Sequence, residues 1–283
     1  MTRAFSWFFS LIAAATFALL VIIFAWQSVP VWQHEGWSYL AGTKWFFRQH
    51  QFSALPMIYG SLAISLIALV LAAPIGFGAA IFTAEYLPRR SRLAVKVLIE
   101  LLAGVPSVIY GLLGILLLRG WIYDAFARFD PLSGDTLLTA GVLLGVMILP
   151  TIFTLSDDAL RAIPAAQRRA ARGLGLTRAE TILSISLPQA ARGFGASLLL
   201  AFGRALGETI AVFLVVGRQD NNFPGSLLEA GQTLTSKLGS SETNIAYGDP
   251  LHWAAIMGLA LLLLALTGMV TVLGTAFGRR SDA

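Results

Sequence analysis

At 283 residues, with 57% hydrophobic and only 12% charged, the chain is excluded from the ordinary soluble domains, in which about a quarter of residues are charged. A mean hydropathy of +0.74 makes it a polytopic membrane protein. The net charge of +5 would point a soluble chain towards nucleic acid, but membrane proteins collect Lys and Arg in their cytoplasmic loops, so the expected contact is membrane lipid and not nucleic acid. The absence of cysteine excludes disulfides, thiolate metal sites and cysteine catalysis. His34, His50 and His252 show no metal-ligand spacing, so no metal is expected.

A transmembrane helix needs about 20 mostly apolar residues. In chain order the candidates are 8–26, 58–82, 95–118, 137–155, 194–216 and 253–277, which predicts an all-α protein with six transmembrane helices. The first follows Arg3 as a signal peptide would. Its apolar run is longer than a signal core of roughly 7–15 residues and no small-residue cleavage site follows, so it reads as an uncleaved span. Small residues recur at helical spacing in the others: Ser61, Ser65, Ala68 and Ala72; Gly104, Ser107, Gly111 and Gly114, with Pro106 as a kink; Gly141 and Gly145; Gly203 and Gly207. They let helices approach closely in lipid.

With the N-terminus cytoplasmic, the inner segments hold Arg3, then Arg89, Arg90, Arg92 and Lys96, then Arg161, Arg168, Arg169, Arg172, Arg178 and Arg192, and last Arg279 and Arg280. The outer segments hold the smaller set Lys44, Arg48, Arg119, Arg128, Arg218 and Lys237. This bias predicts both termini inside. Outside, 31–55 is rich in aromatics (Trp32, Trp37, Tyr39, Trp45, Phe46, Phe47), as for a segment at the membrane interface. The outer loop 218–251 is polar and too long for a simple connection; docking of an external partner and a loose surface loop are both open.

The fifth span carries Arg204 and Glu208 near its middle. Intramembrane ions cost about 2.5–3.5 kcal/mol each and persist where they meet a protein interior, a watery path or each other. Four residues apart, the two share a helix face, continued by Ser197 and Ala201. They either lock two helices as an ion pair or line a path. Glu100, one turn from Lys96, reads as its i, i+4 partner or a snorkelling contact.

Between spans four and five, 156–193 is the longest inner segment. Pro164 suits a first helical turn, Ala165, Ala166, Ala170 and Ala171 favour helix, and Gly173 and Gly175 stop it. Thr177 and Glu180 form a capping box for a second helix, which Leu187-Pro188 interrupts. The product is a helix–Gly turn–helix hairpin.

Arg169-Ala170-Ala171, Gly175 and Ile185-Ser186-Leu187-Pro188 resemble the EAA loop of permease subunits in bacterial ABC importers. Gly104-Val105-Pro106-Ser107-Val108-Ile109-Tyr110-Gly111 and Gly203-Arg204-Ala205-Leu206-Gly207-Glu208-Thr209 resemble the phosphate-specific permeases of the binding-protein-dependent transport system inner membrane component family. Ile210-Ala211-Val212, Pro224-Gly225-Ser226 and Thr233-Leu234-Thr235-Ser236 are similar to the PstC-type subunit. The resemblance covers roughly residue 55 onward. It implies a MetI-like permease fold, with 1–56 as an N-terminal helix and aromatic-rich periplasmic segment and 57–278 as the transmembrane domain carrying the coupling loop 156–193.

The resemblance further implies a phosphate path in the bacterial cytoplasmic membrane, lined by Arg204, Glu208, Thr209, Ser107 and Tyr110. ATPase coupling falls to Arg169, Ala170, Ala171, Gly175, Leu187 and Pro188. The expected partners are a second homologous permease, two cytoplasmic ATPase subunits and a periplasmic phosphate-binding protein. The chain has no G-x-x-x-x-G-K-[ST] phosphate loop, so ATP belongs to the ATPase subunits, this chain needs no cofactor, and it is not itself an enzyme. One departure is Arg169, where the family usually has Glu: an acidic contact to the ATPase is missing or reversed. The alternatives are a permease for another oxyanion or small solute, and an ion-gradient-driven secondary transporter.

Overall fold

The computed structural model describes residues 2–218 and 223–279. Of the residues used to orient the chain, Arg280 lies outside them. The described residues are helical apart from connections and two isolated bridges, Phe46–Gln51 and Gly217–Gly231. The helices are α1 (Thr2–Glu35), α2 (Leu55–Glu85), α3 (Arg89–Ala103), α4 (Ser107–Ala125) and α5 (Leu137–Ala162). A hairpin follows, with α6 (Ala165–Gly173) as its first arm. Arg178–Thr181, a π turn at Ile182–Ser186 and Leu187–Leu206 then run on as α7. Next come α8 (Ile210–Val215), α9 (Leu234–Leu238), α10 (Glu242–Ala246) and α11 (Pro250–Arg279).

Among the described residues, five helices are long and apolar enough to cross a membrane: α1, α2, α4, α5 and α11. The sixth span is α7 with α8, polar at its start and interrupted at 207–209. The third span differs from the predicted 95–118. Pro106 has no N–H and bars its predecessor from the helical region, so the helix stops at Ala103 and restarts at Ser107. α3 is amphipathic, with Arg89, Arg90, Arg92, Lys96 and Glu100 among its apolar residues. Lys96 pairs instead with Asp158 of α5 at 3.2 Å, and Glu100 is exposed.

α2 and α5 pack along their length, and α7 lies against both. Ile64, Ala68, Ala72, Leu144, Ile148, Ile152, Ala201 and Ala205 are buried together there. The small residues act as their spacing predicts. A Cβ on Gly141 would stand 2.6 Å from Ile67, and one on Gly111 would stand 3.2 Å from the Ala211 Cα. α1 rests on α11.

At the end opposite the hairpin, the aromatic segment and part of the long loop pack together against the bundle. Tyr39, Trp45 and Phe52 are buried with Leu234, Ala246 and Ile256, while Trp37 stays 78% exposed. Residues 231–237 of the loop are all buried, so this part is packed into the bundle, while Leu227, Ile245 and Tyr247 stay exposed. Its carbonyls at Glu229 and Leu227 accept the first amides of α5, from Leu137 at 3.1 Å and Leu138 at 2.9 Å, which no intrahelical partner satisfies. The Leu234 amide donates to Ser61 Oγ at 2.9 Å. A Cβ on Gly60 would sit 1.9 Å from the Gln232 carbonyl oxygen, so only glycine lets the loop lie this close to α2.

The loop is held by a buried charge cluster. Lys237 is 1% exposed; its Nζ pairs with Glu242 and lies 5.0 Å from the Trp45 ring centroid. The Glu242 carboxylate also accepts from Trp45 Nε1 and lies 2.9 Å from His252 Nε2. Burial pushes the Glu242 carboxyl up, but the His252 hydrogen bond, the charge and hydrogen bond of Lys237 and the Trp45 indole outweigh it and hold it at about 2 against an ordinary 4.5. A depressed carboxyl stabilises the fold fully above its unfolded value, and that contribution is lost as pH falls from 4.5 through about 2. Breaking a buried pair from one side costs roughly 3–5 kcal/mol. Glu242→Ala is therefore expected to lower the thermal unfolding midpoint clearly at pH 7 and to narrow its difference from wild type at acid pH. Glu242→Leu combined with Lys237→Met should recover part of the loss.

Candidate substrate path and coupling hairpin

The site is built around an interruption. α7 ends at Leu206 and α8 starts at Ile210. The backbone groups this frees have local partners: the Glu208 amide donates to the Ala205 carbonyl at 3.2 Å, and the Glu208 carbonyl accepts from Thr235 Oγ1 at 2.8 Å. Thr209 Oγ1 donates to the Gly207 carbonyl at 3.3 Å. Such satisfaction is what permits irregular backbone at membrane depth.

The interruption separates the two charges expected to share one face. Arg204 sits in the last turn of α7, exposed, and donates through Nη1 to Thr151 Oγ1 of α5 at 2.9 Å. Glu208 is past the helix end and half-buried, and its Oε1 accepts from the Ala211 amide at 3.3 Å. It thus satisfies an N-terminal amide of α8. No ion pair joins Arg204 to Glu208 among the described residues. The face of Ser197 and Ala201 is buried: Ser197 Oγ meets Ser156 Oγ at 3.2 Å, and Ala201 is 0% exposed.

A second break lies alongside at Gly104–Pro106. Tyr110 donates its hydroxyl to the Leu102 carbonyl at 2.9 Å, satisfying an acceptor beside that break. The helices that follow the two breaks touch where Gly111 of α4 packs on Ala211 of α8, so the structure brings Arg204, Glu208 and Thr209 at one interruption beside Tyr110 at the other. Ser107 opens α4, half-buried, and makes no side-chain hydrogen bond among the described residues. Sequence reasoning missed Thr151, which follows Pro150 directly after the apolar stretch of α5. It used Thr235 only for resemblance, although Thr235 touches the break.

The hairpin forms as its caps predict. Leu176 N donates to the Ala171 carbonyl at 3.2 Å with Gly175 at φ +92°, closing α6 by the left-handed turn that glycine permits. Thr177 N donates to Glu180 Oε2 at 2.8 Å and Thr177 Oγ1 accepts from Glu180 N at 3.3 Å. Arg169, Ala170 and Pro188 are exposed, Ala171 is buried, and Leu187 is half-buried. Leu174 at the tip is 84% exposed. Leu187-Pro188 does not break the second arm. The π turn before Pro188 opens the hydrogen-bond ladder where proline would otherwise clash, and the arm continues into the span bearing Arg204.

Residues 72–280 match the model of the family described as binding-protein-dependent transport system inner membrane components. The chain belongs to that family. It is 34% identical, over 94% of its own length and 86% of the relative's, to a protein named phosphate transport system permease protein PstC from Haemophilus influenzae. A protein of the same name from Mesorhizobium japonicum is 31% identical over 92% of this chain and 82% of its own. Among solved structures, a chain of a bacterial alginate ABC transporter, in complex with its alginate pentasaccharide-bound periplasmic protein, aligns at TM-score 0.62 with 14% identity, covering 97% of this chain and 94% of that one. A chain of the inward-facing MetNI methionine ABC transporter aligns at TM-score 0.57 with 19% identity, covering 80% and 94%. The fold is that of MetI-like ABC importer permeases, and the family member is a multi-pass inner membrane transport subunit rather than an enzyme.

Capping by Glu208 predicts different outcomes for two replacements. Glu208→Gln keeps an acceptor for the Ala211 amide and should unfold close to wild type in detergent. Glu208→Ala should lose roughly 0.5–2 kcal/mol, the range for losing a cap. Equal losses in both would assign the stabilisation to charge instead.

Proposed function

We propose that this family member is the membrane-spanning subunit of an ATP-driven importer and that, with a second homologous permease subunit, it forms the path for inorganic phosphate across the bacterial cytoplasmic membrane. The observation that carries this reading is Arg204: a guanidinium presented at a helix interruption, held by Thr151 and not neutralised by Glu208. Its planar donor fork matches two oxygens of a phosphate oxyanion. The fixed carboxylate of Glu208, turned to Ala211, keeps negative charge in the region and shortens the dwell of an anion, since conduction requires release as well as binding. Tyr110, Ser107 and Thr209 add hydroxyls to the path. The names of the phosphate permease relatives support the choice of ion.

In this reading both termini are cytoplasmic, the hairpin docks on one of two ATPase subunits through the exposed Arg169, Ala170, Gly175 and Pro188, with the buried Ala171 packing inside the hairpin, and the opposite end receives phosphate from a periplasmic binding protein. ATP is bound and hydrolysed by the ATPase subunits, with no cofactor on this chain. A displacement of α6 passes through Gly175 and along α7, by way of its π turn, to Arg204 in its last turn.

Hydrogen bonds to a charged group are worth roughly 1.5–3 kcal/mol. In proteoliposomes holding the whole complex, Arg204→Ala is expected to cut ATP-dependent phosphate uptake by about 10- to 100-fold while the subunits still co-purify. Arg204→Lys should retain an intermediate rate. Normal uptake by Arg204→Ala would refute the assignment, as would wild-type uptake that collapses with an uncoupler while ATP is maintained.

A further inference from the structure

The hairpin is fastened to the bundle by a carboxylate on a different helix. Glu85 is the last residue of α2 and 6% exposed. Its Oε1 accepts from Ser186 Oγ at 2.9 Å and lies 3.3 Å from Arg168 Nε. Arg168 stands on α6, the first arm, and Ser186 in the π turn of the second. Arg168 also donates through Nη2 to the carbonyl of Leu160 in the last turns of α5. Beside them the Arg178 guanidinium covers the Tyr86 ring at 5.0 Å. One buried carboxylate thus ties both arms of the hairpin to the end of α2 and, through Arg168, to α5.

Local electrostatics opposes a glutamate at this position. The C-terminus of a helix carries partial negative charge and disfavours an anion, and burial adds a desolvation cost that only partners offset. Its partners all lie on other helices, so its stabilisation depends on the hairpin being seated.

We propose that Glu85 is a positioning residue for energy coupling: by clasping Ser186 and Arg168 it makes the hairpin, α2 and α5 move as one body. A push on α6 then reaches Thr151 on α5 as well as Arg204 on α7, so both partners of the guanidinium contact shift together. Without the clasp the Gly175 turn and the π turn absorb the displacement locally. This inference rests on the reading of the hairpin as the ATPase-docking element.

The test uses the assembled complex with Glu85→Ala and with Glu85→Gln, which still accepts from Ser186 but loses the charge. Co-purification of the ATPase, ATP hydrolysis and phosphate transported per ATP are measured side by side. The expected result for Glu85→Ala is normal assembly, hydrolysis within about twofold of wild type and transport per ATP lower by about tenfold, a coupling loss of ordinary size, with Glu85→Gln between. Unchanged transport per ATP would overturn the proposal. Assembly and hydrolysis that fall in step with uptake in both variants would overturn it too, by making Glu85 merely structural. Because the chain has no cysteine, spin labels at Leu174→Cys and Phe82→Cys give a second readout that needs no substrate. The clasp predicts one narrow distance distribution in the otherwise wild-type complex and a broad one with Glu85→Gln, and equal widths would overturn it. If the wild-type complex transports no phosphate, the functional reading fails while the distance widths still decide the clasp.

Discussion

Lipid cannot hydrogen-bond a peptide group, so a helix can be interrupted inside a membrane only where other parts of the protein supply the missing partners. The gap between Leu206 and Ile210 meets this constraint with a hydroxyl from the outer loop, a carboxylate from within the gap and the hydroxyl of Thr209. Thr235 reaches Glu208 only because the loop folds inward, and the loop does so because Ser61 holds Leu234, Gly60 makes room, and Lys237 and Glu242 close the far side. Presentation of Arg204 thus depends on a segment more than 25 residues further along the chain.

The two ends of the molecule use buried charge to similar effect. At one, Glu242 gathers Lys237, Trp45 and His252 and binds the loop to α11. At the other, Glu85 gathers Arg168 and Ser186, while Asp157 takes Arg92 of α3 at 2.8 Å and Thr83 of α2 at 3.5 Å. Between them the bundle is apolar, with small residues setting the helix separations. Apolar packing in lipid is weakly directional, whereas a buried ion pair requires particular partners. The polar clusters are therefore suited to fixing the register of the loop and hairpin on the bundle.

The candidate path and the coupling hairpin share α7. Its first turns carry the capping box, its π turn accommodates Pro188, and its last turn carries Arg204. A helix bonded along its length is a stiff connection, and only the π turn interrupts the regular ladder between hairpin and charge. The membership in a binding-protein-dependent transport family and the phosphate permease relatives agree with a chain in which one helix joins an exposed polar hairpin to a cationic residue at a break in the span.

The positions of the apolar spans, the capping box and the Gly175 stop were legible in the sequence because each rests on neighbours in the chain. Twenty apolar residues must satisfy their own backbone in lipid, and a helix does that locally. A Thr three residues before a Glu closes its hydrogen bonds without outside help. The third span was only half legible, since the break at Pro106 is local but the apolar run that crosses the membrane lies wholly beyond it. The relation of Arg204 to Glu208 was not legible, because an i, i+4 face exists only if the helix continues, and the break beyond Leu206 is completed by Thr235 from the loop, which satisfies the Glu208 carbonyl. Thr151, Glu85 and Lys237 likewise gave no local signal: each finds its partner on another element. Sequence by itself determined where the apolar spans and the hairpin lie and where charge enters the membrane; where the span bearing Arg204 breaks and which charge meets which partner were decided by tertiary structure, since a side chain's hydrogen bonds depend on the helix packed against it.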